Sequence, residues 1–394
     1  MSLRESERDV VLVDGARTPH GTLLGGLADV EAVSLGQAAL DGLLERVDLD
    51  GDEVDWVSLG NAIQAGIGQV PARQAVVESS LPNETQATTV NEASGSGLRA
   101  ITLAADRIVA DRASVAVAGG FESMTNAPWI VPGYRKGRRF GDVTLTDSLL
   151  YDSLWDVNLE VHMGEITEGL VDRERLSREQ QDRYALESHR LAAEAIDTGE
   201  YDAEIVPVET PDGTVERDEG PRPESTHADL AELPSAFRDD GTITAANASK
   251  LSDGAGVVLL ADAEAAADYG LEPMATLADY DLVYRNPDEF NEAVGDVVEE
   301  LLERNDLAVD DVDAFWLNEA FAAQSVYVIE RLDVPREKMN PRGGAIAFGH
   351  PIGASGGMLA TSLAYQLREE GLERGLVGMS VGGGGAIVAL LERR

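Results

Sequence analysis

Apolar residues recur along this chain in two alternating patterns. Short, nearly continuous apolar runs at Val10–Val13, Val54–Leu59, Ala87–Val90 and Ser114–Ala118 predict strands buried on both faces. Between them, Val33–Leu44, Ala72–Ser79 and the series Leu98, Ile101, Leu103, Ala104, Ile108 and Val109 carry the three-to-four-residue spacing of amphipathic helices. The last third repeats the scheme, with predicted strands at Ala314–Leu317, Ala345–Phe348 and Leu376–Val381 and a helix at Leu359–Leu367. Strands alternating with helices predict an α/β fold whose sheet is largely parallel and covered on both faces. Two similar halves imply a pseudo-twofold axis.

From about Thr125 to Ser249 the pattern changes. Trp129, Pro132, Gly133 and Tyr134 predict irregular backbone, followed by helices around Leu149, Glu165 and Gln180. The last of these, Ser177 to Thr198, opens with Ser-Arg-Glu-Gln, a capping-box pattern. With 394 residues and 43% hydrophobic content, the chain can bury a large core divided among two or three domains.

Candidate chemistry sits where predicted strands turn into helices. The stretch Val90 to Ala100 reads VNEASGSGLRA, with Ser94 at its centre and Gly95 and Gly97 allowing a tight turn and close approach. A hydroxyl there lies near the free N–H groups and positive end of a helix. A serine at a helix start is also an ordinary cap. The turn is not a nucleophile elbow, since Glu92 stands where that motif needs glycine, and Ala100 replaces the third glycine of a dinucleotide fingerprint. A second glycine-rich turn, Gly343 to Gly357, brings His350 to the corresponding place in the other half. The two turns are expected to face one cleft across the pseudo-twofold axis.

Composition narrows the setting. Seventy-two acidic residues oppose 31 basic ones, a net charge of −41, spread along the chain among apolar residues. Such a surface argues against nucleic-acid and membrane partners, because phosphate contacts need positive charge. It predicts a salt-loving host, where dissolved ions screen the self-repulsion. The lysines are Lys136, Lys250 and Lys338, and the basic run Arg135-Lys-Gly-Arg-Arg reads as a solvated loop, an oligomer contact or a phosphate site. With no cysteine there is no disulfide, thiolate metal site or cysteine nucleophile, and five scattered histidines suggest no metal. The N-terminal residues lack a signal-peptide pattern and no apolar stretch has membrane-spanning length, so a cytoplasmic protein is expected.

Across nearly its whole length the sequence resembles the thiolase family. The matching blocks include Asp14-Gly-Ala-Arg-Thr-Pro, Gly60-Asn-Ala-Ile-Gln-Ala-Gly, Asn91 to Leu98, Gly119-Gly-Phe-Glu-Ser-Met, His162-Met-Gly, Asp218-Glu-Gly-Pro-Arg-Pro, Asn247-Ala-Ser, Asn318-Glu-Ala-Phe-Ala and Gly343 to Gly356, with the terminal glycine run. The resemblance implies the thiolase fold, two βαβαβαββ halves in a five-layered αβαβα arrangement. Residues 1–124, completed by about 250–272, would form the first half, 125–249 an inserted loop domain for CoA binding and oligomerisation, and 273–394 the second half. It also implies a homodimer or homotetramer.

The family usually works with cysteine, histidine and cysteine. At the matching positions stand Ser94, His350 and Ser380, which implies a haloarchaeal-type β-ketothiolase acting through an acyl-Ser94 intermediate. A serine hydroxyl needs an adjacent base, which His350 can be, and Ser380 cannot unaided take a carbon-bound proton. His162 is the candidate assistant. The resemblance assigns Asn318 to hold a water with His350, and the N–H groups of Ser94 and Gly382 to a second oxyanion hole. It further implies CoA contacts from Arg222, Phe237, Ala245 and Ser249, with Met163 and Phe321 lining the acyl channel. Acetyl-CoA and acyl-CoA are substrates, and no permanently bound cofactor is implied. Two other readings stay open, a catalytically silent CoA-binding subunit and an acyl-CoA hydrolase. Archaeal members of the family associate with a small OB-fold accessory subunit, a possible partner here.

Overall fold

The computed structural model describes residues 3–6 and 8–394. Its first half runs β1 (Val10–Arg17), α1 (Ala32–Leu44), β2 (Trp56–Gly60), α2 (Pro71–Glu78), β3 (Gln86–Val90), α3 (Ser96–Val109) and β4 (Val115–Ser123). An excursion carrying α4 (Met163–Glu174) and α5 (Arg178–Thr198) precedes β5 (Ser252–Asp262), which closes that half. The second half is β6 (Ala275–Tyr284), α6 (Glu292–Arg304), β7 (Ala314–Leu317), α7 (Ala322–Leu332), α8 (Ser355–Glu370), β8 (Arg374–Val381) and β9 (Gly385–Arg393).

The strands order β7-β8-β9-β6-β1-β5-β4-β2-β3, the halves meeting where Val11 and Leu12 pair with Thr276 and Ala275. Only β2–β3, β2–β4 and β7–β8 are parallel. The expectation of a largely parallel sheet is therefore corrected. Each half ends in an antiparallel return, β4 to β5 across the long excursion and β8 to β9 through the turn at residues 382–384, and β1 and β6 add further antiparallel pairs. Periodicity reports which residues are buried and is blind to strand direction.

Helices cover both faces and the space between the halves. Leu98, Ile101 and Ile108 of α3 and Leu363 and Leu367 of α8 fill one central cluster with Val258, Leu260, Val377 and Met379. The neighbouring positions Val257 and Leu259 face the other way, against Leu35, Leu40 and Leu43 of α1. On the far side, Val297 and Leu301 of α6 and Val328 of α7 pack on Phe315, Leu376 and Val388. These are the five layers, and burying such apolar side chains contributes roughly 1.5–3 kcal/mol each.

The fold delivers two helix starts to one place. A Cβ at Gly356 would lie 2.0 Å from the Leu98 nitrogen, and one at Gly97 would lie 2.8 Å from the Gly353 oxygen. The first turns of α3 and α8 thus pack backbone to backbone, which only glycine permits. Ala345–Phe348, expected as a strand, is a buried helical turn, because four apolar residues do not distinguish the two conformations. The counterpart of β3 is instead a single parallel bridge between Phe315 and Met339. The capping box of α5 is present, with Ser177 and Gln180 bonded reciprocally. No described helix is long and apolar enough to cross a membrane.

Candidate active site

The turn between β3 and α3 is held by its own polar groups. Ser96 Oγ accepts from the Glu92 N–H (2.9 Å) and donates to the Ala93 carbonyl (2.6 Å), and Asn91 Oδ1 accepts from the Ala93 N–H (3.2 Å). Ala93 has φ +48°, a left-handed conformation that is costly for a residue with a Cβ. The strained turn presents Ser94 two residues before the helix, and its hydroxyl bonds His350 Nε2 at 2.9 Å. Ser94 is therefore not a cap.

His350 is 6% exposed, and its Nδ1 lies 2.6 Å from Ser355 Oγ. The Ser355 hydroxyl donates its single proton to the Pro351 carbonyl at 3.1 Å. In the tautomer that matches this arrangement, Nδ1–H donates to Ser355 Oγ and Nε2 faces the Ser94 hydroxyl as an acceptor. Burial, with nearby His20, pushes the imidazole down to about 3, so it is neutral at physiological pH. Ser94, His350 and Ser355 form a continuous chain of hydrogen-bonded side chains. Ser355 escaped the sequence reading, although its place in the Gly343–Gly357 block was a usable signal.

The other expected residues fall into three groups. Val381 and Gly382 abut the Ser94 turn, since a Cβ at Gly95 would meet Val381 Cγ2 at 2.7 Å and one at Gly382 would meet Ala93 Cβ at 3.4 Å. Gly382 lines an open cleft of about 540 Å³ with Ala62, Asn91, Ala93, Trp155 and Met163. Ser380, 3% exposed, forms no side-chain hydrogen bond among the described residues. Asn318 is 2% exposed, and its Nδ2, without a partner among the described residues, lies at a small cavity of about 20 Å³ that also reaches Ser355. That volume holds one water.

Met163, Phe237 and Phe321 share a small apolar cluster with Ile166, Ile243 and Phe290. Arg222 and Ala245 are exposed on loops, and the Ser249 N–H donates to the Ala320 carbonyl at 3.0 Å. Lys250, which the sequence reading did not single out for this region, donates to the Gly220 and Ala347 carbonyls, tying the Arg222 loop to the turn before His350. Burial and Arg222 push its ammonium down to about 8. Among the described residues no group of three potential ligands is placed to hold a metal.

His162 caps α4. Its Nδ1 accepts the Gly164 N–H at 3.1 Å, so the ring proton is on Nε2 and the side chain offers a donor rather than a base, and its ring lies tilted at 31° against Phe237 with centroids 4.6 Å apart. His162→Ala is expected to lower stability by about 1 kcal/mol, read as a shift in the denaturant midpoint, and His162→Asn, which retains a capping acceptor, to restore most of it. An unchanged midpoint in the alanine variant would show the cap to be idle.

Comparison with known proteins gives a consistent picture. Residues 10–264 match the family model "Thiolase, N-terminal domain" and residues 271–393 match "Thiolase, C-terminal domain". The chain is 41% identical over 389 residues to a probable acetyl-CoA acyltransferase of Staphylococcus aureus strain NCTC 8325, covering 98% of this chain and 99% of that one. It is 40% identical to the protein of the same description from Staphylococcus epidermidis strain ATCC 35984, covering 98% of each. The crystal structure of the Bacillus anthracis acetyl-CoA acetyltransferase superposes with a TM-score of 0.96 at 35% identity, covering 99% of this chain and 100% of that one.

Proposed function

The chain belongs to the thiolase family and is an acyltransferase, and from that premise we propose that it is a β-ketothiolase acting through an acyl-Ser94 intermediate. It condenses acetyl-CoA with acetyl-CoA or a short acyl-CoA, or cleaves the product with CoA. The single observation that carries this reading is the 2.9 Å hydrogen bond between Ser94 Oγ and His350 Nε2. His350 takes the hydroxyl proton as Oγ attacks the thioester carbonyl, then gives it to the departing CoA sulfur. The oxygen charge that develops is met by the Asn318 amide through a water, and at the second step by the N–H groups of Ser94 and Gly382. Once neutral again, His350 also removes the methyl proton of the incoming acetyl-CoA, since Ser380 alone lacks the basicity and His162 spends Nδ1 on its cap.

CoA runs along the cleft between Met163, Phe237 and Phe321 and the loops of Arg222, Ala245 and Ser249, within an inserted domain spanning 125–249. The acidic surface and paired serines support a haloarchaeal-type enzyme, and family resemblance supports a homodimer or homotetramer, with an OB-fold subunit as a possible partner; we place it in the cytoplasm. The silent-subunit reading is less well supported, because a binding scaffold has no use for the Ser94–His350–Ser355 relay. The test is thiolysis of acetoacetyl-CoA in molar KCl, with peptide mass analysis of the quenched enzyme. Acetyl-CoA release with an acyl group on Ser94 is expected. Free acid and CoA without acetyl-CoA would favour hydrolysis, and CoA binding with neither turnover nor adduct would favour the silent subunit.

A further inference from the structure

Glu122, in β4, is fully buried and takes no part in the chemistry above. Its carboxylate faces four N–H donors. Oε1 accepts from Asn61 Nδ2 (2.8 Å) and the Ile63 N–H (3.2 Å), and Oε2 from the N–H groups of Ala62 (2.9 Å) and Gly353 (2.8 Å). No cation pairs with it among the described residues, and the charge it feels is that of Asp253, which is also negative. Burial pushes the carboxyl up to about 7 while the backbone donors pull against it. A buried carboxylate without a counter-ion is expensive to keep. Its geometry shows what it holds.

Oε2 joins the two halves of the molecule. Ala62 belongs to the loop after β2, and Gly353 lies three residues beyond His350. The Ala62 carbonyl in turn accepts from Asn91 Nδ2 at 3.0 Å, three residues before Ser94. A path of hydrogen bonds therefore runs from the serine turn through Ala62 and Glu122 to the histidine turn. It is also sterically tight, since a Cβ at Gly353 would lie 2.8 Å from both Glu122 Oε2 and Asn61 Cα. We propose that Glu122 is a positioning residue that sets the separation of Ser94 and His350 by fastening both turns to one carboxylate. This rests on the acyl-Ser94 reading.

In Glu122→Gln the amide nitrogen must face two of the four N–H donors, so one pair opens and a turn moves. Displacements near 1 Å at reacting groups cost up to about a hundredfold in rate. Single-turnover acylation of Ser94 by acetoacetyl-CoA, followed by mass, is expected to slow by roughly ten- to a hundredfold. KM stays near wild type, and the thermal midpoint falls only as far as two buried N–H groups without an acceptor require. Asn91→Asp removes the Nδ2 donor at the next link and is expected to give the same loss in kcat, with the double variant falling short of the product of the two effects. Acylation at the wild-type rate in Glu122→Gln overturns the proposal, as does a loss in which KM rises in step with the fall in kcat. If Glu122→Gln does not fold, wild-type acylation by Asn91→Asp overturns it equally. A wild-type chain that forms no acyl-Ser94 sinks the underlying reading and this one with it, whereas a variant failure beside a competent wild type sinks only this one.

Discussion

Ser94→Ala is expected to reduce thiolysis of acetoacetyl-CoA by roughly a thousandfold or more and to leave no acyl adduct. A hydroxyl is a poor nucleophile at neutral pH, so the rate depends on a base in hydrogen-bond reach at the moment of attack. His350 is placed to meet that requirement through Nε2 at 2.9 Å, with Ser355 bonded at Nδ1. Alanine removes the attacking oxygen and the proton relay has nothing to act on. The substitution leaves the fold intact, because the turn is held by Ser96 and Asn91 rather than by the Ser94 side chain. Unchanged CoA binding in the variant is the control for that. Turnover retained in Ser94→Ala, with an adduct on Ser380 or elsewhere, would remove Ser94 from the mechanism.

The sequence announced this site more clearly than it announced the sheet around it. Ser94 and His350 were legible because each sits in a glycine-rich turn that leads into a helix, and the glycines that betray the turn are those that let α3 and α8 touch. Strand direction was illegible, since β4 and β5 pair antiparallel only after an excursion of more than a hundred residues. Ala345–Phe348 misled for a local reason, as four apolar residues fit a buried turn of helix as well as a strand. His162 lay in a block that resembled a functional one, and nothing in the sequence states that its Nδ1 is committed to the Gly164 N–H. Ser355 and Glu122 make their contacts with the backbone beside His350 or across to the opposite half. A single sequence cannot display those contacts.

Arg17→Met is expected to cost about 3–5 kcal/mol of stability, measured as the shift in the unfolding midpoint in molar KCl. Arg17 is 1% exposed at the end of β1 and forks onto Asp218, with Nη1–Oδ1 at 2.7 Å and Nη2–Oδ2 at 2.9 Å, while its Nε pairs with Glu204. The Tyr201 ring lies under the guanidinium at 4.8 Å. His20 adds its backbone N–H to Asp218 at 2.8 Å, and Ser362 donates to Glu204 at 2.7 Å. Burial alone would push Asp218 up, yet Arg17 and His20 hold it well below the ordinary carboxylate range. Its contribution is therefore present above its unfolded value, about 3.9, and is lost as pH falls toward the folded one. Methionine fills comparable space and leaves two buried carboxylates facing each other, so both are expected to bind protons and the variant to gain stability as pH is lowered toward 5. Bulk salt does little for so buried a group. Asp218 opens the loop that carries Gly220 and Arg222, and Gly220 accepts from Lys250. Under conditions where the variant stays folded, KM for CoA is accordingly expected to rise more than kcat falls. A wild-type unfolding midpoint, or a kcat loss with KM unchanged, would show that this network neither supports the fold nor sets the loop.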